Sequence, residues 1–395
     1  MDADLPLEDT IYSPMKKRFI ALAGVTALLG STVFAQDEAT DTRPGIAPDI
    51  REDESPLKLQ RGDIVVVPIP ISNPTLESGL IAGAAYFYAQ SEEQKKQQPA
   101  SVTGAAALYT SNDSRALVVV QQNYWRNDRW RFTGAVGAAD LRLSLLTSGE
   151  LGGSRSLDWR IDGAFFFAKL ARRVKGNWYG GILTRFVDAD QSIEIGNWAT
   201  APPIEAMSPS NFDTGNNTIA AGLGTYAEYD ERDNPFNSTD GSYFKFDALF
   251  NDEAIGSNKT YQSYSAVYRS YYTLMDSLVL AWEAQGCKRS GTAPLWDACT
   301  VKLRGFSATD YLGKVSASGQ VEARWQLSER WGMVGFAGAG YVGESFNGIR
   351  EDEAIPSYGI GLRFTVLKSK RINLRVDYAR STDSDAIHVS VGEAF

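Results

Sequence analysis

The chain has 395 residues, enough for two or three ordinary domains or for one large all-β barrel. Its 36 Gly, 18 Tyr, 18 Phe and 9 Trp, against 5 Met and one His, favour aromatic-rich strands over helical bundles. A net charge of -9 at pH 7 with no basic stripe excludes a nucleic-acid binder, because nothing is present to neutralise a run of phosphates.

The first 14 residues are polar and acidic, and the chain then reads Met15-Lys16-Lys17-Arg18, the apolar run FIALAGVTALLG, and Ser31-Thr32-Val33-Phe34-Ala35. A basic start, a short apolar stretch and small residues at Val33 and Ala35 predict a secretory signal, with the true start at Met15 and cleavage after Ala35. A membrane helix would need about 20 apolar residues, and this run is too short. Residues 1–35 are therefore read as an N-terminal extension and signal peptide. Residues 36–61 are polar, contain proline and lack any apolar period, and are read as a periplasmic linker. At 26 residues this segment is too short for an independent domain, which needs about 40 even with staples.

From Gly62 onward apolar and polar residues alternate with period 2. Trp159, Ile161, Gly163, Phe165 and Phe167 stand opposite Asp158, Arg160 and Asp162. Val315, Ala317, Gly319, Val321, Ala323, Trp325 and Leu327 alternate with Ser316, Ser318, Gln320, Glu322, Arg324 and Gln326. Tyr358 to Val366 and Ile372 to Tyr378 repeat the pattern. Strands of this length with one apolar face suit a bilayer, and in hydrocarbon such a sheet must close. Sixteen segments are predicted: 62–72, 78–90, 101–110, 115–125, 130–144, 157–172, 177–192, 217–231, 241–251, 260–274, 277–287, 314–327, 331–343, 357–367, 371–380 and 386–395. Short turns such as Lys175-Gly176 and Met275-Asp276 tend to alternate with longer loops at 197–216, 288–313 and 344–356. That is the arrangement of periplasmic turns and extracellular loops, and an even count puts both ends in the periplasm. Ser91 to Pro99 departs from it, being a long charged connection where a short turn is expected. The expected fold is thus all-β: a sixteen-stranded antiparallel transmembrane β-barrel over residues 62–395, in the bacterial cell outer membrane.

Cys287 and Cys299 lie in a turn-rich segment, and export permits a disulfide between them. Two cysteines with no nearby histidine do not make a metal site, and neither metal nor cofactor is expected.

Three features together resemble the BamA/TamA superfamily of outer membrane proteins, also called the bacterial surface antigen family. The first is the run Tyr229 to Phe244 with Asp230, Arg232, Asp233, Pro235 and Gly241, similar to the family's periplasmic turn between the eighth and ninth strands. Asn234-Pro235 and Asp240-Gly241 supply the backbone angles such a turn needs. The second is Leu303-Arg304-Gly305-Phe306, similar to the loop motif between the eleventh and twelfth strands, where the strand count independently places it. The third is the C-terminal Phe395 after an alternating strand, similar to the signal by which such barrels are recognised for assembly. The resemblance implies that the eleventh-to-twelfth loop folds into the lumen and that Arg304 pairs with acids on the inner wall. Glu322 sits at the matching place on the twelfth strand with lumen-facing parity. Gly338 stands where family members often carry an aspartate, so the clamp is expected to rest on one carboxylate. Family members that insert or secrete proteins normally carry POTRA domains before the barrel, and the linker leaves no room for one.

The remaining motifs have plainer readings. Gly338-Ala339-Gly340-Tyr341-Val342-Gly343 matches a dinucleotide fingerprint, but an acidic loop follows it instead of a helix. His388 and Ser390 share a strand face that parity points inward, with no orienting partner in view, so no enzyme is expected. Arg324, Arg363, Arg375, Asp377, Lys245 and Asp247 are expected to form a solvated luminal network. The acidic loop Arg350 to Glu353 reads as solvated surface. The function implied by the resemblance is outer membrane assembly or translocation of protein or lipid. The alternatives are a passive channel or receptor barrel that keeps the scaffold without insertase activity, and a structural barrel recruited to a separate periplasmic partner through residues 36–61. The partners implied are outer membrane lipid, the barrel assembly machinery during biogenesis, and unfolded outer membrane proteins.

Overall fold

The computed structural model describes residues 62–95, 97–148, 154–194, 217–347, 354–368, 371–382 and 384–395. The signal and linker of residues 1–61, the loop at 197–216 and the acidic stretch from Arg350 to Glu353 lie outside the described residues.

The wall runs through β1 (Asp63–Asn73), β2 (Glu77–Phe87), β3 (Val102–Thr110), β4 (Arg115–Trp125), β5 (Trp130–Ser148), β6 (Ser154–Lys175), β7 (Trp178–Glu194) and β8 (Asn217–Asp230). It continues through β9 (Gly241–Asn251), β10 (Tyr261–Met275), β11 (Leu278–Gly291), β12 (Val315–Gln326), β13 (Trp331–Gly343), β14 (Ile355–Leu367), β15 (Ile372–Arg380) and β16 (Asp385–Val391). Each strand pairs antiparallel with its sequence neighbour, and β1 meets β16 to close the sheet. Closure leaves no long open edge in hydrocarbon, which is the condition a membrane sheet must meet. The connection at Ser91 to Pro99 carries a short helix, Glu92–Lys95.

Parity sorts the side chains as in other lipid-embedded barrels over much of the wall. Ile64, Val66, Leu117, Ile182, Val321, Trp325 and Ile360 project outward, while Glu322, Arg363 and Asp377 of the opposite parity are buried inside. The upper part of β6 reverses this expectation. Trp159, Ile161 and Phe165 are buried inside the barrel and Asp158 and Arg160 lie on its outer surface. The cause is length: β5, β6 and β7 have 19, 22 and 17 residues, where a bilayer needs about 9 to 11. Their surplus extends past the membrane at the end carrying the longer connections, where water is outside and a packed loop is inside.

The seam is the weakest pairing. β1 and β2 are registered from Asp63 opposite Phe87 to Asn73 opposite Glu77, whereas β1 and β16 share one registered pair, Ser72 with Val389. The last predicted segment also ends early. Gly392 takes a left-handed φ of 93°, donates its N–H to the Asn373 carbonyl, and turns the final residues away from the wall. Phe395 is buried in the lumen against Tyr271 and Ala281.

Candidate functional site

The connection between β11 and β12 folds into the barrel in two tiers. Gly291 opens it with φ 89°, where a Cβ would come within 2.7 Å of the Thr260 carbonyl oxygen. The root is the single 3-10 turn Leu295–Asp297, whose Leu295 and Trp296 join Trp159, Ile161 and Phe165 in one apolar cluster. This cluster is the reason for the inverted face of β6. Asp297 accepts from Arg185 of β7 (Nη2 to Oδ2, 2.6 Å), Arg289 of β11 (Nη2 to Oδ1, 3.0 Å) and the Tyr261 hydroxyl of β10 (2.8 Å). Burial works against its charge, but the two guanidiniums prevail and hold its carboxyl down at about 2. Cys299, two residues on, is disulfide-bonded to Cys287 on β11. Cys299 and Thr300 then pair with Gly313 and Leu312, making a hairpin whose tip carries the motif residues.

At the tip, Arg304 lies between two carboxylates. Its Nη2 donates to Glu322 Oε1 on β12 at 2.5 Å and its Nη1 to Asp377 Oδ2 on β15 at 2.8 Å. Its guanidinium carbon stands 3.4 Å from the centroid of the Phe336 ring on β13, a cation–π contact. Gln320 accepts a further bond at 3.2 Å, and the Arg304 carbonyl accepts from Ser357 Oγ of β14 at 2.5 Å. The sequence expectation of a clamp on one carboxylate is therefore corrected. Asp377 supplies the second acid from β15, three strands beyond Glu322, and a side chain at Gly338 of β13 is disfavoured, since a Cβ there would come within 2.7 Å of the Gly319 carbonyl oxygen.

Nor is Asp377 part of a solvated network. Glu322 also accepts from Arg324 (2.9 Å) and Asp377 from Arg363 (2.5 Å), and all of these side chains are buried. Each outer arginine reaches the C-terminal tail, Arg324 through the Phe395 carbonyl at 2.7 Å and Arg363 through Glu393 at 2.7 Å. Arg375 lies 3.7 Å from Asp377. Lys245 and Asp247 pair with each other at 2.9 Å, part-exposed to the lumen.

The tip also touches both sides of the seam. Gly305, at φ 107°, donates its N–H to His388 Nε2 at 3.2 Å, and its carbonyl accepts from Ser384 Oγ at 2.7 Å. Ser307 Oγ and the Ala308 N–H both donate to Thr75 Oγ1, just after β1, at 3.1 and 2.9 Å. Leu303 and Phe306 pack with Val301 and Tyr311 to form the tip's own small core. His388, weighed above beside Ser390 for catalysis, faces inward and is engaged by the loop backbone.

The other motif lies across the barrel mouth on the side of the termini. Asp230 and Arg232 form a two-point ion pair of 2.8 and 2.7 Å, and Arg232 stacks on Tyr243. Asp233 accepts from the Thr239 and Asp240 N–H groups and from Arg371 of the β14–β15 turn at 2.6 Å. Asn234 caps the N–H groups of Phe236 and Asn237 around Pro235. Gly241 has φ 95°, and a Cβ there would lie 2.2 Å from the Glu231 carbonyl oxygen. Arg371 binds this turn from the far side of the mouth, so the turn spans the opening instead of projecting from it.

Sequence reasoning passed over Asp377, Phe336, Asp297 and Arg185 as site residues. Inward parity marked Asp377, but nothing in one sequence shows which strands a folded-in loop will reach.

Residues 100–395 match the Omp85 superfamily domain. Among solved structures, the chain is similar to BamA from Haemophilus ducreyi lacking POTRA domains 1–3, with a TM-score of 0.55 at 12% identity over 84% of this chain and 69% of that one. It is also similar to CdiB from Acinetobacter baumannii, with a TM-score of 0.53 at 11% identity over 84% of this chain and 60% of that one. Likeness at such low identity shows the fold. No curated protein matches the sequence.

Proposed function

Because the chain belongs to the Omp85 superfamily of outer membrane barrels, we propose that it acts in outer membrane protein assembly or in passage of protein across that membrane. In this reading the β11–β12 loop is a plug at rest, and the seam between β1 and β16 is where the barrel opens. The carrying observation is the position of the loop tip. One short segment, Arg304 to Ala308, is clamped to the wall by Glu322 and Asp377 and bridges Thr75 beside β1 to Ser384 and His388 at β16. A single displacement of the tip would therefore unplug the lumen and unpin the seam together. In this proposal residues 1–35 comprise an N-terminal extension and an export signal that starts at Met15 and is cleaved after Ala35, and residues 36–61 are a periplasmic linker.

Conductance in planar bilayers tests it. The wild-type barrel is expected to remain closed, and Arg304→Ala to leak in irregular steps, because two buried carboxylates lose a shared partner. Steady pores of one size in the wild type would instead identify a passive channel.

A further inference from the structure

The lumen between the two closures holds a cavity of about 620 Å³, within the ~300–1,000 Å³ range of small-molecule sites. Its lining is divided. On the side of β1 to β6 it is walled by Val67, Ile69, Ile81, Val118, Val120 and Phe165. β1 is thus apolar on both faces, since Ile64 and Val66 project outward. A water-filled barrel has a polar interior, and an apolar wall of this extent is poorly matched to water. Charged residues line the rest of the cavity, beginning with Arg131 of β5 and Lys169 of β6 and continuing round the barrel from β7, with eight Lys and Arg against five Asp and Glu in all, in a chain whose net charge is negative. Seven of those cations are ion-paired. The eighth, Lys302 beside the clamp, has no hydrogen bond or ion pair among the described residues and opens onto the cavity.

We propose that this cavity binds a single acyl chain with an anionic head group, the chain lying on the β1–β6 wall and the head group on Lys302. An acyl chain is the occupant that satisfies both halves, because it covers the apolar wall while its charge meets the unpaired ammonium. The route is also present. Val67 and Ile69 of β1 and Val391 of β16 line the cavity on either side of the seam, which is held by one registered pair, so a chain leaving the bilayer there reaches the apolar wall directly. The proposal does not depend on the cargo of the barrel.

Native mass spectrometry of the full chain, released from non-ionic detergent micelles, tests it with palmitate and 1-hexadecanol as probes. One palmitate per barrel is expected, with hexadecanol held at least about tenfold more weakly, the size of one charge-assisted hydrogen bond. Lys302→Gln should weaken palmitate by a similar factor. Gly104→Trp should abolish retention of both probes by filling the cavity, since a Cβ at Gly104 meets nothing closer than the Ala84 carbonyl oxygen at 3.8 Å. A parallel arm with palmitoyl-lysophosphatidylglycerol assigns the source: preference for it names a membrane lipid, and preference for palmitate a free fatty acid. Equal retention of palmitate and hexadecanol, no retention at all, or unchanged palmitate binding in either variant when each migrates as a folded, heat-modifiable barrel, overturns the proposal.

Discussion

Arg304 is tolerated inside a membrane protein because its charge is spent on two fixed acids and one aromatic face, but those acids are themselves shared. Glu322 serves Arg304 and Arg324, and Asp377 serves Arg304 and Arg363 with Arg375 close by. Four guanidiniums surround these two carboxylates, with Glu393 a third acid on Arg363, so positive charge is already in excess and neither acid can be neutralised without adding to it. Removing one partner from a buried set of this kind costs on the order of 3–5 kcal/mol, mostly as uncompensated charge. Glu322→Gln is therefore expected to destabilise the barrel by about that much in urea unfolding from lipid vesicles. Adding Arg304→Met, which removes the charge now facing Arg324, should recover part of the loss, as coupled sites do. Strict additivity of the two substitutions would show that Glu322 does not hold Arg304. The residue scale is also where the sequence was hardest to read. The Leu303-Arg304-Gly305-Phe306 signature and the parity of Glu322 were visible, but Asp377 is 73 residues from Arg304 and becomes its partner because the loop folds across the inner wall as far as β15.

At the scale of the element, the loop is held at two heights by different chemistry, and the root is the sturdier. Asp297 joins three strands through Arg185, Arg289 and Tyr261, and the disulfide fixes the next turn of chain to β11. Its carboxyl, held down at about 2, lies below the ordinary value near 3.9 of an unfolded chain. A depressed carboxylate stabilises above the unfolded value, and that contribution disappears as pH falls through the folded one. The clasp is thus complete at pH 7 and at pH 5, and mild acid should not release the loop. Hydrogen exchange across residues 292–313 is expected to show equal protection at both pH values. Asp297→Asn should lower protection already at pH 7, and lower protection of the wild type at pH 5 than at pH 7 would contradict the assigned charge state. The strands themselves were legible because period 2 survives in a single sequence. Which face meets lipid was not legible for the upper part of β6, where the same alternation serves water outside and the loop's Leu295 and Trp296 inside. Periodicity reports two faces without saying what covers each.

Across the whole molecule, the clamp, the tail and the seam form one connected structure. From Arg304, one path runs through Glu322 and Arg324 to the Phe395 carbonyl, and another through Asp377 and Arg363 to Glu393. Both end in the tail that follows β16, whose edge meets β1 at a single registered pair. The loop tip touches the same two edges from inside, so the contacts that close the lumen also brace the least-paired junction of the wall. Two events can then be separated: release of the plug, which frees the lumen, and separation of β1 from β16, which admits chains from the bilayer. Ser72→Cys with Val389→Cys places thiols on the one registered pair and allows the junction to be locked by oxidation. In the locked barrel carrying Arg304→Ala, conductance is expected to persist, because the lumen is unplugged, while its irregular steps give way to a narrower distribution, because the wall can no longer part. Reduction should restore the irregular steps. If oxidation leaves the distribution unchanged, the fluctuations arise from the loop alone and the seam does not move with it.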